Sequence, residues 1–390
     1  MTEKLFYSDS HMTTFSACVK ECEQKGDYYE VVLDRTAFFP TGGGQYADTG
    51  MLGDANVIDV READDIVYHV VTKELKVKEA VTGRIDWEER FSKMQQHSGE
   101  HIVSGIVHKR FGYDNVGFHM GKDAITMDFN GVITPAELRE IELEANKAVV
   151  QNLDIITLYP KKEDLENISY RSKIEIEGQV RIVEIPGYDR CACCAPHVKK
   201  TGEIGVIKLT NVQNYKGGVR VSMLCGFRAL ADYNEKATSV KQISMMLSAK
   251  EEDVANEVER LKEELAHRKL QFATLQKEIL VRKVEQIEEI DECMILFEEN
   301  IDGNLPRELM NLLLDRGCKI AVVFAKTEEE QYRYVVGSQT HDVRPISKVL
   351  NESFAGRGGG KPEMVQGSVC GAQDQIREEV IECSKKVLAN

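Results

Sequence analysis

No stretch of this 390-residue chain approaches the roughly 18 consecutive apolar residues that a bilayer-spanning helix requires, so a membrane-embedded function is not expected. The opening run, Met-Thr-Glu-Lys-Leu-Phe, carries Glu3 early and has no apolar segment behind it, which argues against a secretory leader and for a cytoplasmic protein. An excess of positive charge is also missing: the formal charge is −15. General affinity for nucleic acid draws on clustered Lys and Arg and does not follow from such a balance. Residues 199–220 are a local exception, because Lys199, Lys200, Lys208, Lys216 and Arg220 are opposed there only by Glu203. From charge alone, a solvated strand-and-turn surface explains this stretch better than a binding face. Proline and glycine are absent from about Ala229 to Glu289, which points to a long helix or a helical hairpin.

The ten cysteines are scattered except for Cys191, Cys193 and Cys194. Without a leader, that pattern suggests reduced thiols and a metal site more than a disulfide framework. The length suggests about two to four domains.

Residues 1–85 hold short β-type runs, Tyr28–Leu33, Ala55–Val60 and Ile66–Val71, punctuated by Gly and Asp as in a small barrel or sandwich. From about Asp86 through His108 the pattern is helical, with Phe91, Met94, Ile102, Val103 and Ile106 on one face. A second helix is expected over Pro135–Gln151, with Pro135 in the first turn after a Thr134 cap. Strands return over 153–230, among them Ile204–Leu209 and Val219–Leu224. Residues 231–289 place Val240, Ile243, Leu247, Val254, Val258, Leu261, Leu265, Phe272, Leu275 and Ile279 near heptad spacing. Ser248-Ala-Lys-Glu251 has the form of a capping box and should break this segment in two. The apolar stripe fits a homodimer seam or an arm folded back on its own domain. Residues 290–390 alternate strand and helix: Met294–Phe297, Leu305–Leu314, Ile320–Phe324, Tyr332–Val336, Ile346–Phe354 and Gln375–Leu388. The chain is thus expected to be a multidomain α+β protein divided at 1–85, 86–230, 231–289 and 290–390.

Chemistry concentrates in two pairs. His97-Ser-Gly-Glu-His101 puts two imidazoles on one side of a helix, and Cys193-Cys-Ala-Pro-His197 offers a thiolate and an imidazole at the same separation. Together they can make one tetrahedral N/S set for Zn²⁺, with Cys191 or Cys194 as alternatives to Cys193. The first pair also fits the inverted zinc-peptidase motif, with Glu100 as general base, but that motif expects a carboxylate as third ligand.

Four motifs in one order carry a family resemblance. Thr36-Ala-Phe-Phe-Pro-Thr-Gly-Gly-Gly-Gln45 is followed by Asp48-Thr-Gly50; Gly83-Arg-Ile-Asp-Trp87 leads into Gln95–His101; Arg181-Ile-Val-Glu-Ile-Pro-Gly-Tyr-Asp189 leads into Cys193–His197; and Gly356–Gly367 is rich in glycine. Over essentially its whole length the chain resembles the AlaX family of alanyl-tRNA editing proteins, related to the editing domain of alanyl-tRNA synthetase. The resemblance implies an N-terminal β-barrel with a glycine-rich loop, a zinc-containing α+β editing domain, a helical hairpin or coiled coil, and a C-terminal α/β DHH-associated domain. No aminoacylation domain is expected. The activity implied is hydrolysis of the aminoacyl ester of mischarged tRNA(Ala), carrying serine or glycine, by a deacylase serving translation fidelity. The ligands implied are His97, His101, Cys193 and His197 around Zn²⁺. Gln45 is expected against the substrate, and Glu100, which is not the family's usual residue, either changes how the amino acid is read or places a carboxylate near the attacking water. Thr36 and Thr41 are candidates for a serine hydroxyl, and Gly42, Gly43 and Gly44 permit close backbone approach. A non-catalytic tRNA-binding dimer with structural zinc is the other alternative.

The chain departs from the family twice. Cys-Cys-Ala-Pro-His stands where Cys-Gly-Gly-Thr-His is usual, and Glu100 stands where the synthetase domain often has threonine. The tail motif is not a nucleotide-binding loop, because Pro362 follows Lys361 where Ser or Thr is required, so no ATP dependence is expected. By resemblance it touches the tRNA elbow; otherwise it is a tight turn between a helix and a strand.

Overall fold

The computed structural model describes all residues except 122–123, 166, 173–178, 302 and 390. It is a multidomain α+β protein with two compact units, Met1–Gln242 and Ile243–Asn390.

The first unit opens with β1 (Glu3–Lys4) and the single turn α1 (Leu5–Ser8). There follow β2 (Thr14–Lys25), β3 (Tyr28–Leu33), β4 (Arg35–Thr36), β5 (Gly50–Leu52), β6 (Ala55–Ala63), β7 (Ile66–Val71) and β8 (Ala80–Ile85). Antiparallel pairing closes a barrel in the order β2-β3-β7-β6-β5-β8. Strand alternation turns Phe15, Ala17 and Val19 of β2 inward, and Val67, His69 and Val71 of β7. His69 is the polar member of this core, and burial drives its pKa down to about 4, so the ring is neutral. Its Nδ1–H donates to the Val31 carbonyl, and its Nε2 accepts from the Thr36 hydroxyl at 2.8 Å.

Helix α2 (Trp87–Phe111) begins at an Asp86 cap that accepts from the Glu89 N–H and ends at Gly112 in the left-handed region. The sequence predicts one apolar face; instead every residue from Lys93 to Val107 is buried. The reason is that distant segments cover it on several sides. These are β9 (Asn115–Met120), β10 (Ile125–Phe129), α3 (Pro135–Gln151), the three-stranded sheet of β11 (Ile156–Leu158), β12 (Ile182–Ile185) and β13 (Asp189–Ala192), and the hairpin β14 (Ile207–Tyr215) with β15 (Gly218–Cys225). The short α4 (Lys162–Leu165) precedes β12. Thr134 and Glu137 form a capping box at the start of α3. The expected strand at Ile204–Leu209 begins only at Ile207, because Thr201–Ile204 is a 3₁₀ turn closed by Gly205 at φ 78°.

The basic stretch is a solvated, paired surface. Lys199 meets Asp9, Lys200 meets Asp154, Lys208 meets Glu142, and Arg220 meets Asp128 at 2.6 Å, acids that lie outside the stretch in sequence.

Helix α5 (Gly226–Leu247) and helix α6 (Val254–Glu285) are separated where the sequence suggested. The cause differs. Ser248 turns the chain at φ 50°, and Asp253, which precedes α6, makes no side-chain cap, so no capping box forms. The second unit continues with β16 (Cys293–Glu298), α7 (Leu305–Asp315), β17 (Ile320–Glu328), β18 (Gln331–Gly337), α8 (Arg344–Ser353), β19 (Arg357–Lys361), β20 (Met364–Cys370) and α9 (Gln373–Leu388). Its sheet has the order β16-β17-β18-β20-β19. Ile320, Val322 and Phe324 join one core with α8 and α9, while Ala321 and Val323 join another with α7 and the end of α6. The glycine-rich tail is therefore not a turn between helix and strand: it is the edge hairpin β19–β20. A Cβ at Gly358 would lie 2.2 Å from Tyr334 Oη. No helix among the described residues is long and apolar enough to cross a membrane.

Candidate metal centre

Because α2 is buried on all sides, its polar residues must find partners, and they organise the site. Arg90 donates to both oxygens of Asp48 and to the Ala37 carbonyl, and Asp48 in turn accepts from the Phe39 N–H at 2.6 Å. Lys93 reaches the Ala47 carbonyl, and the Thr49 hydroxyl donates to Glu89. The loop between Ala37 and Thr49 is thus clamped to α2, which explains the Asp48-Thr-Gly50 motif. The tight bridge Gly42–Gln45, with Gly43 and Gly44 at positive φ, then turns Gln45 toward His97.

His97, His101, Cys193 and His197 come together, with one ligand atom from each lying within 4.8 Å of the others. Each imidazole is anchored through Nδ1. That of His97 meets Gln45 Oε1 at 3.1 Å, that of His101 meets Asp189 Oδ2 at 2.8 Å, and that of His197 meets Ser98 Oγ at 3.1 Å. Such anchors fix the tautomer and leave Nε2 as the ligand atom. Cys193 Sγ lies 3.5 Å from His97 Nε2 and 3.4 Å from His197 Nε2. A tetrahedron with Zn–S of about 2.3 Å and Zn–N of about 2.0 Å has S···N edges of about 3.5 Å, so the donor set fits zinc in kind and in size.

Electrostatics agree. Burial alone would raise the Cys193 thiol, but His97, His197 and hydrogen bonds from His101 and His197 hold it well below its ordinary value. Burial lowers His197 to about 3. Burial opposes charge on His101 as well, yet Asp189 and Cys193 raise it well above the ordinary histidine range. A thiolate among imidazoles is the condition a divalent cation stabilises.

Behind His101, Asp189 is buried and takes a two-pronged contact from Arg171 at 2.8 and 2.9 Å. The approach depends on Gly105 of α2, where a Cβ would stand 2.3 Å from the Tyr188 carbonyl. Sequence reasoning read Asp189 only as part of a turn and missed Arg171, Ser98 and Arg90. The Pro-Gly-Tyr-Asp run placed four residues before Cys193 was the available signal for Asp189.

The structure separates the remaining candidates. Glu100 is buried, with Oε1 accepting from Ser104 Oγ at 2.7 Å and Asn115 Nδ2 at 2.6 Å, and with Oε2 3.9 Å from His101 Nε2. The carboxylate third ligand of the inverted peptidase motif is replaced in the cluster by the Cys193 thiolate. Thr36 is spent inside the barrel, donating to His69 and accepting from the Phe38 N–H. Thr41 accepts from the Ala47 N–H and is exposed. Cys191 is buried beside His101 and Asp189. Cys194 is exposed and lies against the glycine-rich loop, where a Cβ at Gly43 would meet its Sγ at 3.0 Å. The Cys-Cys-Ala-Pro-His loop is braced by Arg181, which donates to the Cys193 and Ala195 carbonyls, and Ala195 packs on Phe6 and Phe39.

Two family profiles match the chain: "tRNA synthetases class II (A)" over residues 2–89 and "Threonyl and Alanyl tRNA synthetase second additional domain" over residues 180–222. The chain is 26% identical over 407 residues to the alanyl-tRNA editing protein AlaX-L of Pyrococcus horikoshii, and the match covers 98% of each. It is 27% identical over 400 residues to the alanine–tRNA ligase of Ignicoccus hospitalis, covering 99% of this chain and 43% of the ligase. For the ligase of Pyrobaculum neutrophilum the values are 30%, 97% and 44%. The chain therefore spans less than half the length of these ligases and nearly all of AlaX-L.

Proposed function

We propose that this chain, which belongs to the AlaX family of alanyl-tRNA synthetase-related proteins, hydrolyses the ester joining a wrong amino acid to the terminal adenosine of tRNA(Ala), with serine the first substrate and glycine the second. Support comes from Gln45. Its Oε1 faces His97 Nδ1, while its Nε2 is buried and has no hydrogen-bond partner. A His97 that offers Nε2 to a metal carries its proton on Nδ1, so Oε1 must accept and the amide NH₂ is left as a donor. A buried unpaired donor costs about 1–3 kcal/mol. An ester carbonyl oxygen would satisfy it.

Held by His97, His101, Cys193 and His197, a zinc ion would polarise a bound oxygen and make water more acidic. The chain's own groups do the rest. Gln45 Nε2 orients the carbonyl. Ser104 and Asn115 hold Glu100 Oε1, so that Oε2, on the His101 side, takes the proton of the attacking water. The acyl C–O bond then breaks, and the ribose hydroxyl departs with a proton. Thr41 retains its hydroxyl proton for a serine side chain, and Gly42, Gly43 and Gly44 let the backbone approach. Editing of this kind is needed because an apolar pocket rejects an added hydroxyl poorly. For the tRNA body, the second unit offers a groove of 930 Å³ bordered by Lys326, Arg333, Arg357, Gln366 and Ser368 beside the glycine hairpin.

One observation favours a second reading. Four protein donors already complete a tetrahedron, the ligation of a structural zinc, and would make the chain a tRNA-binding scaffold. Deacylation of tRNA(Ala) charged with serine, glycine or alanine separates the two. Zinc-loaded wild type should release serine, and Gln45→Ala should slow release by about 10²–10³ at unchanged zinc content. A zinc-loaded wild type that leaves every ester intact would establish the scaffold reading instead.

A further inference from the structure

Behind the metal centre, the end of α2, the start of β9, residues 169–172 and β13 border a cleft of 660 Å³. Two residues of its wall also serve that centre. Asp189 holds His101 Nδ1 at 2.8 Å, and Asn115 Nδ2 donates to Glu100 Oε1 at 2.6 Å. Three permanent cations line the cleft, Lys109, Arg171 and Arg190, against the carboxylates of Asp114 and Asp189. Asp114 meets His108 at 3.0 Å, and Asp189 lies between His101 and Arg171, so neither acid neutralises Lys109. Lys109 makes no ion pair among the described residues. Arg171 uses Nε and Nη2 on Asp189, and Arg190 uses Nη2 on Glu184 at 2.6 Å. Nη1 of Arg171 and the buried Nε of Arg190 are left without a partner among the described residues. The basic stretch over 199–220 differs, because Lys199, Lys200, Lys208 and Arg220 each meet an acid there.

We infer that this cleft takes one phosphate group of the acceptor end of the tRNA, an inference that rests on the editing reading. Guanidinium and ammonium donors brought to one cleft and left over from their own acids suit a phosphate, whose oxygens accept from several N–H groups at once. Tyr170 and Tyr188 border the same cleft, and aromatic rings beside cations suit a nucleotide better than a bare anion. Position selects the source of the phosphate. A group held here lies one residue away from His101, through Asp189, and one residue away from Glu100, through Asn115. It fixes the polynucleotide beside the groups that cleave the ester without touching them. Phosphate contacts set register and orientation and carry no sequence information. Lys109 and Arg190 are therefore positioning residues, and Arg171 serves both the cleft and the anchor of His101.

Binding of uncharged tRNA(Ala) to the zinc-loaded full chain, titrated between about 50 and 200 mM salt, reads the cleft without any hydrolysis. Lys109→Ala/Arg190→Ala should weaken binding about tenfold at unchanged zinc content. It should also make the slope of log K against log salt shallower by about 0.7–0.9, the value of one phosphate contact. Arg171 is left in place because it holds Asp189. Lys25→Ala/Lys76→Ala, on exposed lysines of the barrel, is the control and should do neither. In deacylation the cleft variant should raise KM for seryl-tRNA(Ala) about tenfold, with kcat within about twofold. Hydrolysis of seryl-adenosine, which carries no phosphate, should be unchanged. If wild type cleaves no ester but the cleft variant still loses tRNA binding as stated, the cleft stands and the editing reading falls. Wild-type tRNA binding by the cleft variant overturns the inference, as does an equal loss in the control or an equal loss on seryl-adenosine. So does calorimetry in which inorganic phosphate binds wild type and not the variant while tRNA binding is unchanged, since the cleft would then serve a free anion.

Discussion

Helices α2 and α6 invert the ordinary amphipathic helix in opposite directions. In α2 the polar residues are inside: Arg90, Lys93, Gln96, His97, Ser98, Glu100, His101 and Ser104 are buried. In α6 the apolar residues are outside, from Val258 to Ile279. Each inversion costs free energy in the isolated unit and has to be offset by something that helix meets. For α2 the partners lie within the chain, with Asp48, Gln45, Asp189 and Cys193 brought to it, and the buried Nε2 of Gln45 is left without a hydrogen-bond partner. In α6 only the end is covered, where Leu280 and Val284 pack on α7, and the apolar residues from Val258 to Ile279 stay exposed.

Removing the ligands should break the α2 half most severely. His97→Ala, or wild type stripped by a chelator, should lose deacylation altogether and fall well below one zinc per chain by metal analysis. A smaller but general effect is expected at the clamp: Arg90→Met leaves Asp48 charged and buried, and should cost about 3–5 kcal/mol in urea unfolding. The contrast itself is tested by a matched pair of truncations. Ile106→Ala on α2 should cost about 2–5 kcal/mol, whereas Leu265→Ala on α6 should stay within about 0.5 kcal/mol in urea unfolding. Equal costs would mean that the α6 seam is not open. The finest effect belongs to Asp189→Asn, which keeps the ligand set but weakens the anchor of His101 and disturbs the Arg171 contact. It should lower zinc affinity about 10–100-fold in competition with a chelator.

Much of this was legible in the chain. Thr134, Pro135 and Glu137 announced α3 because capping chemistry is local. The two ligand pairs were legible for the same reason, since a four-residue separation on a helix or a tight loop already aims both side chains one way. The break near Ser248 was placed correctly for an incorrect cause, as a left-handed residue and a side-chain cap leave similar traces in sequence. Asp189 was illegible as an anchor because its partner, His101, lies on another element, and their approach depends on the missing Cβ of Gly105. For the glycine-rich tail the local alternative to a tRNA contact is a turn between a helix and a strand, because glycine is usually punctuation, and the pairing of β19 with β20 replaces that alternative. Here its residues let a strand lie over Tyr334.

By itself the sequence determined the kinds of donor, the lengths of the helices and the charge order along α6, all properties of residues a few positions apart. Tertiary structure decided which of three clustered cysteines joins the histidines, which faces of α2 are covered and which face of α6 is left open. Burial is settled by segments distant in sequence, and no local period records what they will cover.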